Sequence, residues 1–195
     1  MRTIRVTGKG QLSLAPDLTR ITMTLEGLCP EYSETLRRSS EDTEALRELR
    51  SLNRRLTPKG LRLLPLRMTD TFAMLYLYRP ARLREDLRDR ETACLLKEAG
   101  YRVCDETGCL CELCRRLNEE ADFPHEIGLF LSYPPEDVRG FMEHRDEGCK
   151  CVGCWKVYGD EQAAKRRFAQ YERCTKSYLR QHAQGRSLER LAVKI

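Results

Sequence analysis

The sequence predicts an α+β or α/β fold, a mixed β-sheet flanked by helices. Two stretches alternate apolar and polar residues around turn residues, which is the period of a half-buried strand. Other stretches repeat leucine at helical spacing amid mixed charges. Gly and Pro punctuation divides the two kinds of pattern into short segments.

Residues 3–28 read as a β-hairpin. Ile4, Val6, Leu12 and Leu14 carry the first run, Pro16-Asp17 the turn, and Ile21, Met23 and Leu25 alternate with Arg20, Thr22 and Thr24 in the second. Gly8-Lys9-Gly10 reads as a bulge inside a strand and not as a phosphate loop, because no helix follows it. Residues 31–56 read as one helix or two, with Leu46, Leu49, Leu52 and Leu56 as the buried stripe and Pro58-Lys59-Gly60 as the stop. Leu61–Leu66 and Phe72–Tyr78 predict a second hairpin. Phe72–Tyr78 is apolar on both faces, as a central strand covered from both sides would be. Pro80 opens a helix to Ala99 with Gly100 as its stop, and a short helix follows over 109–120.

The apolar run at 126–133 predicts a third buried strand. Pro134-Pro135-Glu136-Asp137 then starts a helix with two carboxylates at its positive end. Residues 155–158 predict a further strand of the same sheet. The longest helix runs from Asp160, its N-cap, to about Gln184, with Gly185 as its stop, and Ser187 caps a last short helix.

The chain has 195 residues, is 41% hydrophobic and 33% charged, and carries a formal charge of +5. That suffices for a packed core and argues against bulk disorder. Basic and acidic residues are interleaved, which favours mixed-sign helix faces and argues against a nucleic-acid stripe. No run approaches the roughly 18 apolar residues of a membrane span, and the first ten residues lack the apolar core of a secretory signal. These features point to the cytoplasm, where thiols stay reduced. The ten cysteines then read as free thiols, metal ligands or redox groups, not as a disulfide framework.

The densest chemical signal is Cys149-x-Cys151-x-x-Cys154, with Cys174 twenty residues further on. Four thiolates would satisfy tetrahedral zinc or an iron–sulfur cluster, and Lys150, Lys156 and Arg173 would favour the thiolate forms. Cys149, Cys151, Cys154 and Cys174 are therefore the candidate metal ligands, with His144 and His182 as substitutes. The same thiols serve equally for redox chemistry or for packing alone. A second group, Cys104, Cys109, Cys111 and Cys114, could pair Cys111-x-x-Cys114 with Cys151-x-x-Cys154, but the 36-residue gap exceeds the roughly 15–20 usual in compact zinc sites. Cys29 and Cys94 read as packing residues.

His125-Glu126 is a candidate acid–base pair, although neighbours on a strand face opposite ways. Lys165-Arg166-Arg167, on a helix with Phe168 and Tyr171, reads as a solvated helix face in preference to a phosphate-binding one. No nucleophile elbow, P-loop, HExxH or dinucleotide fingerprint occurs, so the sequence names no reaction.

Two resemblances divide the chain. Thr7-Gly8-Lys9-Gly10, Ala15-Pro16-Asp17, Glu26-Gly27 and Glu31–Leu36 resemble the start of bacterial SIMPL-domain proteins over residues 1–48. Leu52–Leu56, Leu75–Pro80, Phe123–Leu131, Tyr133–Val138, Lys150-Cys151, Trp155–Asp160 and the Cys174–Leu188 tail resemble the bacterial domain of unknown function 3793. The division predicted is a hairpin–helix fragment over 1–48 and a cysteine-bearing domain over 49–195. The first strand pair is then expected either to join the second family's sheet or to hang loosely on it. Neither resemblance implies an activity. The functional expectation is a cytosolic bacterial protein with a cysteine-held metal or thiol redox site. The alternative is a non-catalytic interaction module with incidental cysteines. Its partners would be another protein or a second copy of the chain, with no membrane; nucleic acid is disfavoured, and a third class, weak nucleic-acid binding, rests only on the charge of +5.

Overall fold

The computed structural model describes residues 14–15, 18–24, 47–68, 72–102, 105–119, 122–145 and 147–193. Its centre is a four-stranded sheet in the order β1-β2-β4-β3. Strands β1 (Leu14–Ala15) and β2 (Leu18–Thr24) pair antiparallel, with Ala15 opposite Leu18. Strands β3 (Arg62–Met68) and β4 (Phe72–Tyr78) form the second hairpin. β2 also runs antiparallel beside β4, with Ile21 opposite Leu75. The first strand pair thus joins the same sheet as the second.

β4 is the central strand because both of its faces are apolar. Tyr76 and Tyr78 face the main core, with rings stacked at 4.8 Å. Ala73 and Leu75 face the other way with Leu63, against Leu49 and Leu52 of helix α1 (residues 47–56). Helix α1 passes through a 3-10 turn (Thr57–Lys59) and stops at Gly60, whose φ of 74° favours glycine. The outer edge of β3 carries side-chain hydrogen bonds. Asn53 of α1 both donates to the Leu63 carbonyl (2.7 Å) and accepts from its N–H (2.8 Å). Asn118 donates to the Leu66 carbonyl (2.8 Å), and Pro65 between them has no N–H.

Helices α2 (Pro80–Arg88), α3 (Arg90–Glu98), α4 (Glu106–Glu119), α5 (Ile127–Phe130) and α6 (Pro135–His144) follow. They contribute Leu83, Leu87, Leu96, Leu113, Phe130 and Val138 to the main core. The sequence predicts one helix over 80–99; the structure breaks it at Asp89. The Asp89 carboxylate accepts from the N–H groups of Glu91 (3.1 Å) and Thr92 (2.9 Å), an N-cap that restarts the helix. A short two-stranded sheet, β5 (Cys151–Val152) with β6 (Lys156–Val157), precedes the long helix α7 (Glu161–Ala183) and the short α8 (Leu188–Leu191). Asp160 caps α7 through the Ala163 N–H (2.9 Å), as predicted. Lys59 and Arg79 donate to the carbonyls of Ala192 (3.0 Å) and Val193 (2.7 Å), tying the chain after α8 to the 3-10 turn and the start of α2.

The α+β class holds, with three corrections within it. Residues 126–133 hold a single helical turn, α5, and no strand. A short apolar run looks the same in either form, and here Pro124 and Pro134 bound it and Tyr133 N–H returns to Gly128 O (3.0 Å). Residues 155–158 belong to a separate hairpin and not to the main sheet. Every described pairing is antiparallel, where a mixed sheet was expected. Gly8-Lys9-Gly10, the 31–46 part of the first predicted helix, Cys29 and Cys104 lie outside the described residues.

Leu113 is fully buried where α4 meets the sheet. Leu113→Ala is expected to cost about 2–5 kcal/mol in urea unfolding. Cys111→Ala, on the exposed side of the same helix, should change stability by less than about 0.5 kcal/mol.

Candidate functional site

The cysteine hairpin is built around a buried carboxylate. Asp137 occupies the third position of α6 and is 3% exposed. Its Oδ2 accepts from the Trp155 indole N–H (2.7 Å), and its Oδ1 accepts from the backbone N–H groups of Tyr158 (2.7 Å) and Gly159 (2.7 Å). The helix N-terminus favours the negative charge, and three donors replace the water it has lost. Glu136 and Asp137 stand in the first turn of α6, as the sequence reads them; Asp137 also binds a different element. Glu136 is exposed and lies against Gly159.

Trp155 is then enclosed by Tyr133 (stacked, 4.7 Å), Phe168 (edge-on, 4.6 Å) and Tyr171 (6.3 Å). Two glycines permit this closeness. A Cβ on Gly140 would lie 2.3 Å from Tyr158 Cγ, and one on Gly153 would lie 2.2 Å from Phe168 Cε2. Lys150 Nζ donates to the Gly159 carbonyl (2.6 Å), and the Tyr158 hydroxyl donates to the Arg145 carbonyl. Arg145 itself has a φ of 56°, rare for a residue with a side chain.

The thiols have different surroundings on this frame. Cys149 and Cys151 are half-buried, Cys154 is exposed at the hairpin turn, and Cys174 is half-buried on α7. Cys151 packs against the Trp155 cluster, opposite Val157. Among the described residues, no three His, Cys, Asp or Glu side chains are grouped to hold a metal ion. Cys149, Cys151, Cys154 and Cys174 belong to no such group among the described residues. The physical reason is that close spacing along the chain does not fix side-chain direction: Cys151 faces the hairpin's own core while Cys154 faces solvent. His144 is exposed beside Glu143 (3.7 Å), and His182 is exposed and bonds the Arg186 carbonyl (3.3 Å).

The second cysteine group lies in mixed surroundings. Cys109 is buried in the main core, Cys111 is exposed, and Cys114 is half-buried with its thiol pKa raised, first by burial and then by Cys111. Cys94, expected to pack, is exposed and donates to Glu98 (3.2 Å), which raises its pKa.

His125 and Glu126 separate into different environments. They lie in the turn before α5, and Glu126 is buried. The Glu126 carboxylate accepts from the Tyr101 hydroxyl (3.0 Å) and from Arg116 (3.2 Å). Arg116 also bonds Glu112 (2.8 Å) and the Ala99 carbonyl (2.5 Å), and lies 4.5 Å from the Tyr101 ring centre. Burial, then the Glu126 charge, pushes the Tyr101 phenol well above its ordinary value. Bonds from Arg115 first, and then Arg116, hold the Glu112 carboxyl down to about 2. His125 instead meets the Phe141 ring edge-on (5.0 Å) and accepts from Arg145. Its pKa is lowered, first by burial and then by the Arg145 charge, against smaller opposing effects of Glu126 and Asp122. These contacts make His125 and Glu126 fold-holding groups that face different partners.

Beside α5 lies an apolar cavity of about 50 Å³, lined by Leu66, Met74, Tyr76, Phe123, Phe130 and other apolar residues. No helix among the described residues is long and apolar enough to cross a membrane.

Fold and site together define an α+β domain whose cysteine hairpin is bolted to a helix by a buried aspartate. The chain belongs to the family described as "Protein of unknown function (DUF3793)", whose model matches residues 20–192. The match begins within β2 and so includes strand residues that lie in the SIMPL-like stretch. No curated protein and no solved structure matches the chain.

Asp137→Ala should leave the Trp155, Tyr158 and Gly159 donors without their acceptor. The expected loss is about 3 kcal/mol or more, with a red-shifted Trp155 emission in the native baseline. Asp137→Asn should recover only part of it, because its NH₂ would face a donor. For His125 the sign follows from its lowered native pKa. The unfolded chain binds the proton more readily, so stability is complete above the ordinary histidine value near 6.5 and falls as pH drops toward the lowered one. His125→Gln should flatten the stability–pH curve in that acid window, measured by denaturant titration.

Proposed function

We propose that this chain is a non-catalytic interaction module, in which the cysteines serve packing and the surface carries the function. The carrying observation is where the chemically suggestive groups are engaged. Asp137 joins α6 to the cysteine hairpin, Glu126 joins α4 to the turn before α5, and His125 joins that turn to the end of α6. Each bond ties one element to another. Such a frame is suited to holding a surface in fixed shape for a partner.

A second reading keeps the thiols as the working groups, with Cys149, Cys151, Cys154 and Cys174 collecting a soft metal ion, zinc or an iron–sulfur cluster, or exchanging electrons. It is favoured by the charge around Cys151. The bond to Glu161 first raises the Lys165 pKa, and the nearby Cys151 adds to the effect.

Metal analysis of reduced, anaerobically purified protein separates the two. The module reading expects less than about 0.2 metal per chain, since structural sites bind tightly. It also expects Cys174→Ser to be nearly silent and Cys151→Ser to cost about 1 kcal/mol of packing. Stoichiometric metal, or collapse of the fold on either substitution, would overturn it in favour of the thiol site.

A further inference from the structure

The formal charge of +5 is unevenly spread. Residues 160–195 hold nine Lys and Arg against four Asp and Glu, so this stretch carries the whole excess and residues 1–159 are balanced. Most of the stretch is helix α7, about 34 Å long at the usual rise. Its inner side is fixed by Ala164, Phe168 and Tyr171 against Trp155. Its outer side is exposed and carries Arg166, Arg173 and Arg180 at intervals of seven residues. Seven residues are nearly two turns, so the three guanidinium groups lie along one line at steps of about 10.5 Å. Arg167 flanks them.

The acids of α7 are already engaged. Glu161 pairs with Lys165 (2.6 Å) and Glu172 with Lys176 (2.6 Å). Among the described residues no carboxylate lies within ion-pair distance of Arg166, Arg167, Arg173 or Arg180. The cations left open are thus all arginines, the side chain whose planar fork matches a phosphate in two-point contact.

We propose that the outer face of α7 binds the phosphate backbone of a nucleic acid through Arg166, Arg167, Arg173 and Arg180. A straight row of guanidinium groups calls for a partner with negative charge repeated along a line, and a nucleic-acid strand carries one phosphate per nucleotide over its whole length. A lipid surface fits less well. A helix lying in a membrane interface buries an apolar face, and the residues interspersed on this face are Gln162, Ala169, Glu172 and Lys176, with Leu179 as its large apolar side chain. The contacts are to backbone phosphate, so binding is expected to be indifferent to base sequence. This inference rests on the interaction-module reading and supplies its partner.

The test is fluorescence anisotropy of full-length protein with labelled 20-nucleotide single-stranded RNA and DNA and the matching duplex. Binding at 50 mM salt should weaken on the order of 50-fold by 200 mM, the slope of about four contacts on a single strand. The variant R166E/R173E/R180E should lose at least about tenfold, whereas R54E/R67E/R90E, with the same charge change elsewhere, should stay within about threefold. Circular dichroism confirms that both variants fold. The proposal is overturned by no binding at 50 mM salt, by equal loss in the two variants, or by binding to vesicles containing anionic lipid without binding to nucleic acid. Metal content measured on the same sample keeps the two questions apart: metal-free protein that ignores nucleic acid sinks the arginine row alone, and stoichiometric metal sinks the module reading.

Discussion

One buried carboxylate determines how the C-terminal half is assembled. A carboxylate at 3% exposure is costly unless its charge is answered by donors, and Asp137 finds all three of its own outside the helix that carries it. The requirement is mutual. The hairpin has only two residues in each strand, too few to hold its shape alone, and Trp155 needs a partner for its indole N–H once its ring is covered. Helix α6, the hairpin and the first turns of α7 therefore stand or fall together. The glycines at 140 and 153 belong to the same requirement, since neither close approach leaves room for a methyl group.

Much of the main domain was legible in the sequence. The Leu61–Tyr78 hairpin, the central position of β4 and the span of α7 follow from periodicity and capping, which are local properties. The alternation of Tyr76 and Tyr78 against Ala73 and Leu75 told which residues face which side. The run at 126–133 was misread because a few buried apolar residues look alike in a strand and in a helical turn. The break at Asp89 was missed because Arg88–Glu91 keeps good helical composition through it. An Asp followed two and three residues later by Glu91 and Thr92 was the available signal.

The candidate site was less legible for a different reason. Cys149, Cys151 and Cys154 are close in sequence, and that closeness suggested a ligand claw. Whether sulfurs meet depends on strand facing and on what packs behind each strand, and Val157 and Trp155 draw Cys151 inward. Residues 155–158 read as a strand of the main sheet, and Trp155, Tyr158 and Gly159 instead serve Asp137. Arg116 and Tyr101 around Glu126 were unreadable, because their contact joins residues far apart in the chain. The charge asymmetry at 160–195 was present in the composition from the start. Interleaving on the short scale hid it, since Glu161 and Glu172 stand beside the lysines they neutralise.

The hydrogen bonds along β3 bear on how copies of this chain can meet. A strand at the rim of a sheet normally presents open amide and carbonyl groups that a neighbouring molecule could use to lengthen it. Here Asn53 fills the Leu63 position from both directions, Asn118 occupies the Leu66 carbonyl, and Pro65 offers no hydrogen. A second molecule could zip onto this rim only by evicting both amides. Self-assembly by strand addition is thus opposed at these positions of the rim.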